Sequence, residues 1–285
     1  MKTTGIHSIG GVPRQTGHSW FSFRLLAASV LLCLVAGSAL AAPLLTSYDP
    51  IEPQPVDSLL APNRSHFAGT DLFGRDVWSR LLWGGRRSLA GAAVALVLAI
   101  LPGTLLGITS AQVGGRWDSL LMRIVDVLLA FPGLLLALTL IAWLGPGLLS
   151  AALAVGLAGI PRFARVMRSD ALRIKSRPYI EAARAMGCST FRIVWRHLFP
   201  NVADSLLVLA ALELGYALLN ISGLSFLGLG AQPPSPEWGL MLAEGRGLLR
   251  TAPWVAIFPG LAITLTVLAL NLLTDAIQDR IALRQ

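Results

Sequence analysis

Residues 88–110 read SLAGAAVALVLAILPGTLLGITS, twenty-three side chains without a charge. About 20 apolar residues suffice for a helix to cross the hydrocarbon core of a bilayer. A membrane strand would alternate apolar and polar residues, whereas here Leu, Ala and Gly run on without a period of two. The stretch reads as a transmembrane helix. Working outward from it, comparable runs stand at 25–45, 120–144, 148–160 (extending toward Met167), 202–222 and 254–274. The expected fold class is all-α integral membrane, with six transmembrane helices.

Composition agrees with that reading. Of 285 residues, 54% are hydrophobic and 13% charged, against about 25% charged in soluble domains. Mean hydropathy is +0.67. A disordered chain, a coiled coil and an ordinary soluble enzyme are excluded, because too little polar surface exists to wrap the apolar mass in water. The net charge of +8 would suggest nucleic acid in a soluble protein. Here the basic residues lie between apolar runs, so the positive-inside rule accounts for them and no nucleic-acid partner is expected. Cys33 and Cys188 should sit at different depths, which argues against a disulfide.

Orientation follows from the loops. Arg162, Arg165, Arg168, Arg173, Lys175, Arg177, Arg184, Arg192 and Arg196 crowd one segment, opposed locally only by Asp170 and Glu181. That segment should be cytoplasmic. Counting spans then puts both termini inside. The organisation expected is a cytoplasmic segment 1–24 with Lys2 and Arg14, a first transmembrane helix 25–45, and an extracytoplasmic loop 46–87. A five-helix core 88–274 follows, with a cytoplasmic loop 166–201 and an extracytoplasmic loop 223–253, and then a tail 275–285. Loop 46–87 carries Arg64, Arg75, Arg80, Arg86 and Arg87, a weak departure from the rule. The first span has a second reading: Ala39-Leu40-Ala41 after an apolar stretch resembles a signal-peptide cleavage site. Its length and the five spans behind it favour a retained helix.

Pro102-Gly103, Pro132-Gly133 and Pro259-Gly260 lie inside spans, where a missing backbone donor can kink a helix. They read as hinges or as ordinary packing. Gly103 and Gly107 form a small-xxx-small pair suited to close helix contact. Catalytic motifs do not assemble. Lys175 precedes Ser176, but Ile174 stands where a phosphate-binding loop needs glycine. His7, His18, His66 and His197 show no helix-spaced metal pair, and no Gly-x-Ser-x-Gly elbow is present.

Residues 179–201 read YIEAARAMGCSTFRIVWRHLFPN and parse as helix, turn, helix. Pro178 suits the first turn, and Glu181 favours a helix N-terminus. Gly187 fits a helix end that needs positive φ. Ser189 or Thr190 can cap a second helix over 191–198, after which Pro200-Asn201 opens the next span. A short helix of this kind can dock into a partner's groove or rest on anionic lipid; spacing leaves both open.

Here the motifs become specific. Glu181-Ala182-Ala183, Gly187, Ile193 and Leu198-Phe199-Pro200-Asn201 resemble the EAA loop of ABC importer permeases. His66, Gly69-Thr70-Asp71 and Gly74-Arg75-Asp76 resemble that family's HxxGTDxxGRD segment. Met122-Arg123, Asp126 and Ala130-Phe131-Pro132 match the next motif. Residues 224–230 (LSFLGLG), Gln232-Pro233-Pro234 and Trp238-Gly239 follow. Ala252-Pro253-Trp254, Phe258-Pro259-Gly260 and Asn271-Leu272-Leu273 complete the series. In order, these resemble the second permease subunit of dipeptide, oligopeptide and nickel importers, from about residue 43 onward. Thr274-Asp275 and Gln278-Asp279-Arg280 replace the family's usual Gly-Asp and Leu-Arg-Asp ending.

The resemblance implies a type I permease fold in a bacterial or archaeal inner membrane. It implies a transport subunit and not an enzyme, importing dipeptides or oligopeptides by alternating access. A nickel or metal-chelate importer is the alternative, and a channel or intramembrane enzyme a distant one. The implied partners are a second permease, two ATPase subunits, an extracytoplasmic substrate-binding protein and membrane lipid. No cofactor or metal is expected in this chain; ATP and magnesium belong to the ATPase chains. Tyr179, Glu181, Ala182, Ala183, Arg184, Gly187, Ile193 and Pro200 would couple to the ATPases. Gly69, Thr70, Asp71, Gly74, Arg75 and Asp76 would form the outer-loop motif, held by ion pairs or facing the binding protein. Trp238 and Trp254 read as interfacial anchors. Glu213, deep in the fifth span, would face the pathway, an ionic partner or an intramembrane hydrogen bond.

Overall fold

The computed structural model describes residues 17–282, with side chains over 24–281. The expectations for Lys2, Arg14, His7 and the ends of the two terminal segments fall outside these residues, and the His18 side chain lies outside the described side chains. Among the described residues the chain is helical, apart from loops and one isolated antiparallel bridge between Thr70 and Asp76.

Helix α1 (Gly17–Leu40) is followed by the single turn α2 (Ala42–Leu45). It lies on the last helix and on α3 (Val77–Val113), with Ala28, Ala39 and Ala42 buried. Asp76 caps α3 by accepting from the Ser79 backbone N–H at 2.7 Å, which satisfies one of the orphan donors of the first turn. The helix runs through Pro102 to Gly114, whose φ of 67° ends it.

The expected span 120–144 is not one straight helix. It is α4 (Gly115–Ala130) and α5 (Gly133–Leu144), which meet at 91°. Pro132 forces the residue before it out of the helical region, and Phe131 is extended at φ −87°, ψ 139°. Pro102 and Pro259, by contrast, sit inside unbroken helices.

Helix α6 (Leu148–Lys175) continues through Arg162, Arg165 and Arg168, so the helix does not stop where its apolar run ends. Pro178 starts the short helix α7 (Pro178–Ala185). After Gly187, Ser189 accepts from the Arg192 N–H at 3.4 Å and caps α8 (Thr190–Ile193). Here the expected second break is missing. A π turn over Val194–Leu198 joins α8 to α9 (Phe199–Phe226), giving a continuous helix Thr190–Phe226 of 37 residues. Pro200 has no N–H for the Arg196 carbonyl, and the ladder slips by one residue instead of ending. Within the stretch 166–201, only α7 and its flanking turns interrupt the two long helices.

Helix α10 (Trp238–Gly245) folds within loop 223–253, and α11 (Trp254–Ala282) closes the chain. Among the described residues four helices are long and apolar enough to cross a membrane, the bent α4–α5 pair makes a fifth if it counts as one span, and Arg24–Leu40 is a shorter apolar helix. The six apolar runs thus appear as four long helices, one broken pair and one short helix.

The central seam is α3 against α6. A Cβ on Gly107 would lie 2.9 Å from the Arg168 nitrogen, and one on Gly156 would lie 2.8 Å from the Ala95 oxygen. Small residues on both helices let the backbones touch, the arrangement that membrane helices use in place of hydrophobic driving force. One apolar core lies under α10 and includes Ala92, Val155, Leu218, Ile221, Leu224 and Trp238. A second lies at the opposite end of the seam and joins Ile108, Met167 and Ile174 to Ile180 and Ile193.

Candidate functional site

The two ends of the α3–α6 seam carry the motif residues. At the loop end, the GTD and GRD residues fold into one buried network. Asp71 Oδ1 accepts from the backbone N–H of Phe73 at 2.8 Å and of Arg75 at 3.0 Å. Asp71 Oδ2 pairs with Arg75 Nε at 2.6 Å and with Arg80 Nε at 3.5 Å. Both guanidinium groups then reach Glu244 on α10, at 3.2 Å from Arg75 and 2.8 Å from Arg80. Asp76, besides capping α3, stands 3.0 Å from His66 Nδ1. The Thr70 hydroxyl accepts from the Leu60 N–H at 2.7 Å, and its carbonyl accepts from Trp254 Nε1 at 3.0 Å. Gly69 and Gly74 have φ of 73° and 74°. A Cβ on Gly69 would sit 2.7 Å from the Trp254 indole nitrogen, and one on Gly74 would run into the Gln54 carbonyl.

Sequence reasoning missed Glu244 and Glu237 here. Glu237 is fully buried. Its carboxylate accepts from the Leu240 N–H and the Ser88 hydroxyl, at 2.8 and 2.9 Å, tying α10 to α3. A capping position before an apolar run was the available signal for Glu237; nothing local marks Glu244. Trp238 is no lipid-facing anchor. It is buried and donates from Nε1 to the Leu81 carbonyl at 2.8 Å, because an indole with both a partner and an apolar bed is better placed inside. Trp254 likewise spends its N–H on Thr70. The surplus of arginine in this loop has an internal explanation. Arg75 and Arg80 are paired, Arg87 contacts Ser235, and Arg86 lies 5.8 Å from the Trp83 ring centroid.

At the basic end, three arginines one helical turn apart on α6 meet carboxylates brought from other helices. Arg162 pairs with Glu213 on α9, and Arg165 with Asp126 on α4. Arg168 grips Asp118 with two bonds of 2.6 Å. Glu213 is buried, and the Arg162 guanidinium also stacks 4.4 Å above the Tyr216 ring. Glycine at 159 makes room, since a Cβ there would stand 2.9 Å from Glu213 Oε1. Among the three readings of Glu213, the structure shows the ionic partner. Lys175 donates to the Ala111 and Gln112 carbonyls at 2.8 and 3.3 Å, closing the end of α3, as a cation near a helix C-terminus can.

Helix α7 projects beyond these pairs. Ile180 is buried in the second core and Ala183 is buried beneath the helix, while Tyr179, Glu181, Ala182 and Arg184 face outward. Gly187 has φ of 81°, and a Cβ there would meet nothing within 4 Å. Only its backbone requires glycine there. Ile193 is buried beside Ile180, and Pro200 is exposed past the π turn. Sequence reasoning did not give Met186 a role; at 78% exposed it extends the outward face of the turn.

A bundle of membrane-crossing helices that carries a short amphipathic helix at one end and a folded cap at the other is the architecture of a transporter membrane subunit. Comparison with known proteins gives the family. Residues 103–285 match the binding-protein-dependent transport system inner membrane component, and the chain belongs to that family. It is 43% identical over 89% of its length to a glutathione transport system permease protein of Pectobacterium atrosepticum, covering 85% of that protein. It is 42% identical to a dipeptide transport system permease protein of Alkalihalophilus pseudofirmus, over 85% of this chain and 79% of the relative. The fold matches an inward-facing structure of the MetNI methionine ABC transporter. The TM-score is 0.57 at 20% identity, covering 69% of this chain and 95% of that one. The chain is therefore a multi-pass membrane permease subunit with the type I importer fold.

Proposed function

We propose that this chain is one of two permeases in an ATP-driven importer of dipeptides or oligopeptides. The relatives' names support the substrate class. Two ATPase chains would bind ATP and magnesium, and a substrate-binding protein would deliver peptide to the cap formed by loops 46–87 and 223–253. The basic end is read as cytoplasmic, with both termini on that side, in accord with the positive-inside rule.

The observation that carries the reading is α7. Ile180 is anchored in the second core and Ala183 is buried, while Tyr179, Glu181, Ala182 and Arg184 are presented outward. A helix held on one face and free on the other is built to engage a second protein. Closure of the ATPases would move α7, and its anchorage in the second core would pass that motion to α3, α6 and α9 as a rigid-body switch between two packings. Glu213 is engaged by Arg162, which leaves little to favour a metal-chelate cargo. Among the described residues no three His, Cys, Asp or Glu side chains come together as a metal site.

The test is to purify the tagged chain in mild detergent and assay the eluate for ATPase activity. A second permease and ATPase chains should accompany it, and substitutions in residues 181–187 should release the ATPases. A chain that elutes alone, with no nucleotide-binding partner, would end this reading.

A further inference from the structure

An apolar groove of about 700 Å³ opens between the end of α3 and the start of the 190–226 helix. Leu101, Leu105 and Ile108 line one wall, and Phe191, Val194 and Trp195 line the other. Phe191 and Trp195 also form the rim of a second, polar hollow lined by Ser189, Arg192 and Arg196. The two hollows thus share a wall of aromatic rings. Phe191, Trp195 and Phe199 follow one another at intervals of four on one helix face, and all three are exposed, at 73%, 57% and 38%.

Two features ask for a ligand. Arg192 and Arg196 form no ion pair among the described residues, unlike Arg162, Arg165 and Arg168 on the neighbouring helix. Gln112 lines the apolar groove, and its Nε2 is buried without a hydrogen-bond partner among the described residues. A buried donor left unsatisfied is destabilising. An occupant that suited both features would offer an anion to the arginines, an acceptor to Gln112, and an aliphatic chain to the groove.

We propose that the groove binds one anionic phospholipid. Its phosphate lies at Arg192 and Arg196, an ester carbonyl accepts from Gln112, and one acyl chain follows α3 past Ile108 toward Leu101. A second copy of this chain does not suit the site, because it would bring the same arginines. A tryptophan beside the charged pair is placed as indoles are at a membrane–water boundary, and anionic headgroups attract clustered arginine there. The assignment to the cytoplasmic leaflet rests on the orientation proposed above; the binding itself does not. The lipid would brace the segment that leads from Gly187 into the long helix.

The experiment uses the full chain in its purified complex, in nanodiscs of phosphatidylcholine doped with photoreactive phosphatidylglycerol or photoreactive phosphatidylcholine. The glycerol lipid should label residues 101–113 and 190–199 several-fold more than the choline lipid. Arg192→Gln with Arg196→Gln should abolish that preference, and Arg192→Lys with Arg196→Lys should keep it. Leu105→Trp, which fills the groove, should reduce labelling by both lipids. Equal labelling by the two lipids, or a preference that survives the double glutamine variant, would overturn the proposal. So would a crosslinker at Leu105 that captures the second permease instead of lipid. Because nanodiscs expose both leaflets, a wrong orientation would leave the labelling pattern intact and appear instead in leaflet-selective labelling of sealed vesicles.

Discussion

The two ends of the α3–α6 seam solve the same problem differently. Both bring arginine into a largely apolar protein. At the loop end, Asp71, Arg75 and Arg80 are almost wholly buried, and the two arginines share Asp71 and Glu244, so each of these charges has a partner. At the basic end Glu213 is buried but its partner Arg162 is partly exposed, Arg165 and Asp126 are more than half exposed, and Arg168 and Asp118 are partly exposed. There, too, α7 turns a whole face outward. A network closed on itself holds a shape, whereas one left open to solvent can exchange partners. The loop end is the fixed frame, and the basic end is the part that can answer to another protein.

Substitutions can break or sharpen this contrast. Asp71→Ala should have the largest effect, leaving two buried guanidinium groups short of a carboxylate at a cost of about 3–5 kcal/mol. The purified complex should lose thermal stability, or the chain should fail to accumulate in the membrane. A fully stable variant would contradict the frame. Gly187→Val comes next, since a β-branched residue at φ of 81° carries strain of about 1–3 kcal/mol. Uptake should fall while membrane insertion is retained, with Gly187→Asn milder; normal uptake with the valine would remove Gly187 from the coupling path. Arg168→Gln should cost about 1 kcal/mol, because a bidentate pair to Asp118 is strong but partly hydrated. A modest drop in melting temperature would register it. Arg165→Gln should change stability by no more than about 0.5 kcal/mol; a loss as large as that of Asp71→Ala would erase the difference between the two ends.

Much of the architecture was legible because apolar runs of about 20 residues admit few readings. Gly187 was legible as well, since a glycine after a short helical pattern signals a positive φ. Two features were not. Pro132 and Pro200 look alike in sequence, yet one stands at a 91° break and the other follows a π turn inside a continuous helix. The difference lies in what surrounds each proline. Asn201 donates to the His197 carbonyl beside Pro200, whereas Phe131 is extended and the helix starts afresh. The charge pairs were hidden for another reason. Arg168 and Asp118 are 50 residues apart, and Arg75 and Glu244 are 169 apart. Only the packing of whole helices brings such partners together, so no local pattern announces them.

The uninterrupted helix from Thr190 to Phe226 has a mechanical consequence. At 37 residues it is a rod of about 55 Å, with its handle beside Gly187 and its tip beneath the cap. A tilt of about 5° at the handle would swing the tip by roughly 5 Å. A small displacement of α7 is thus geared up to the scale of a side chain at the far face, and the π turn is the place where that gearing could slip.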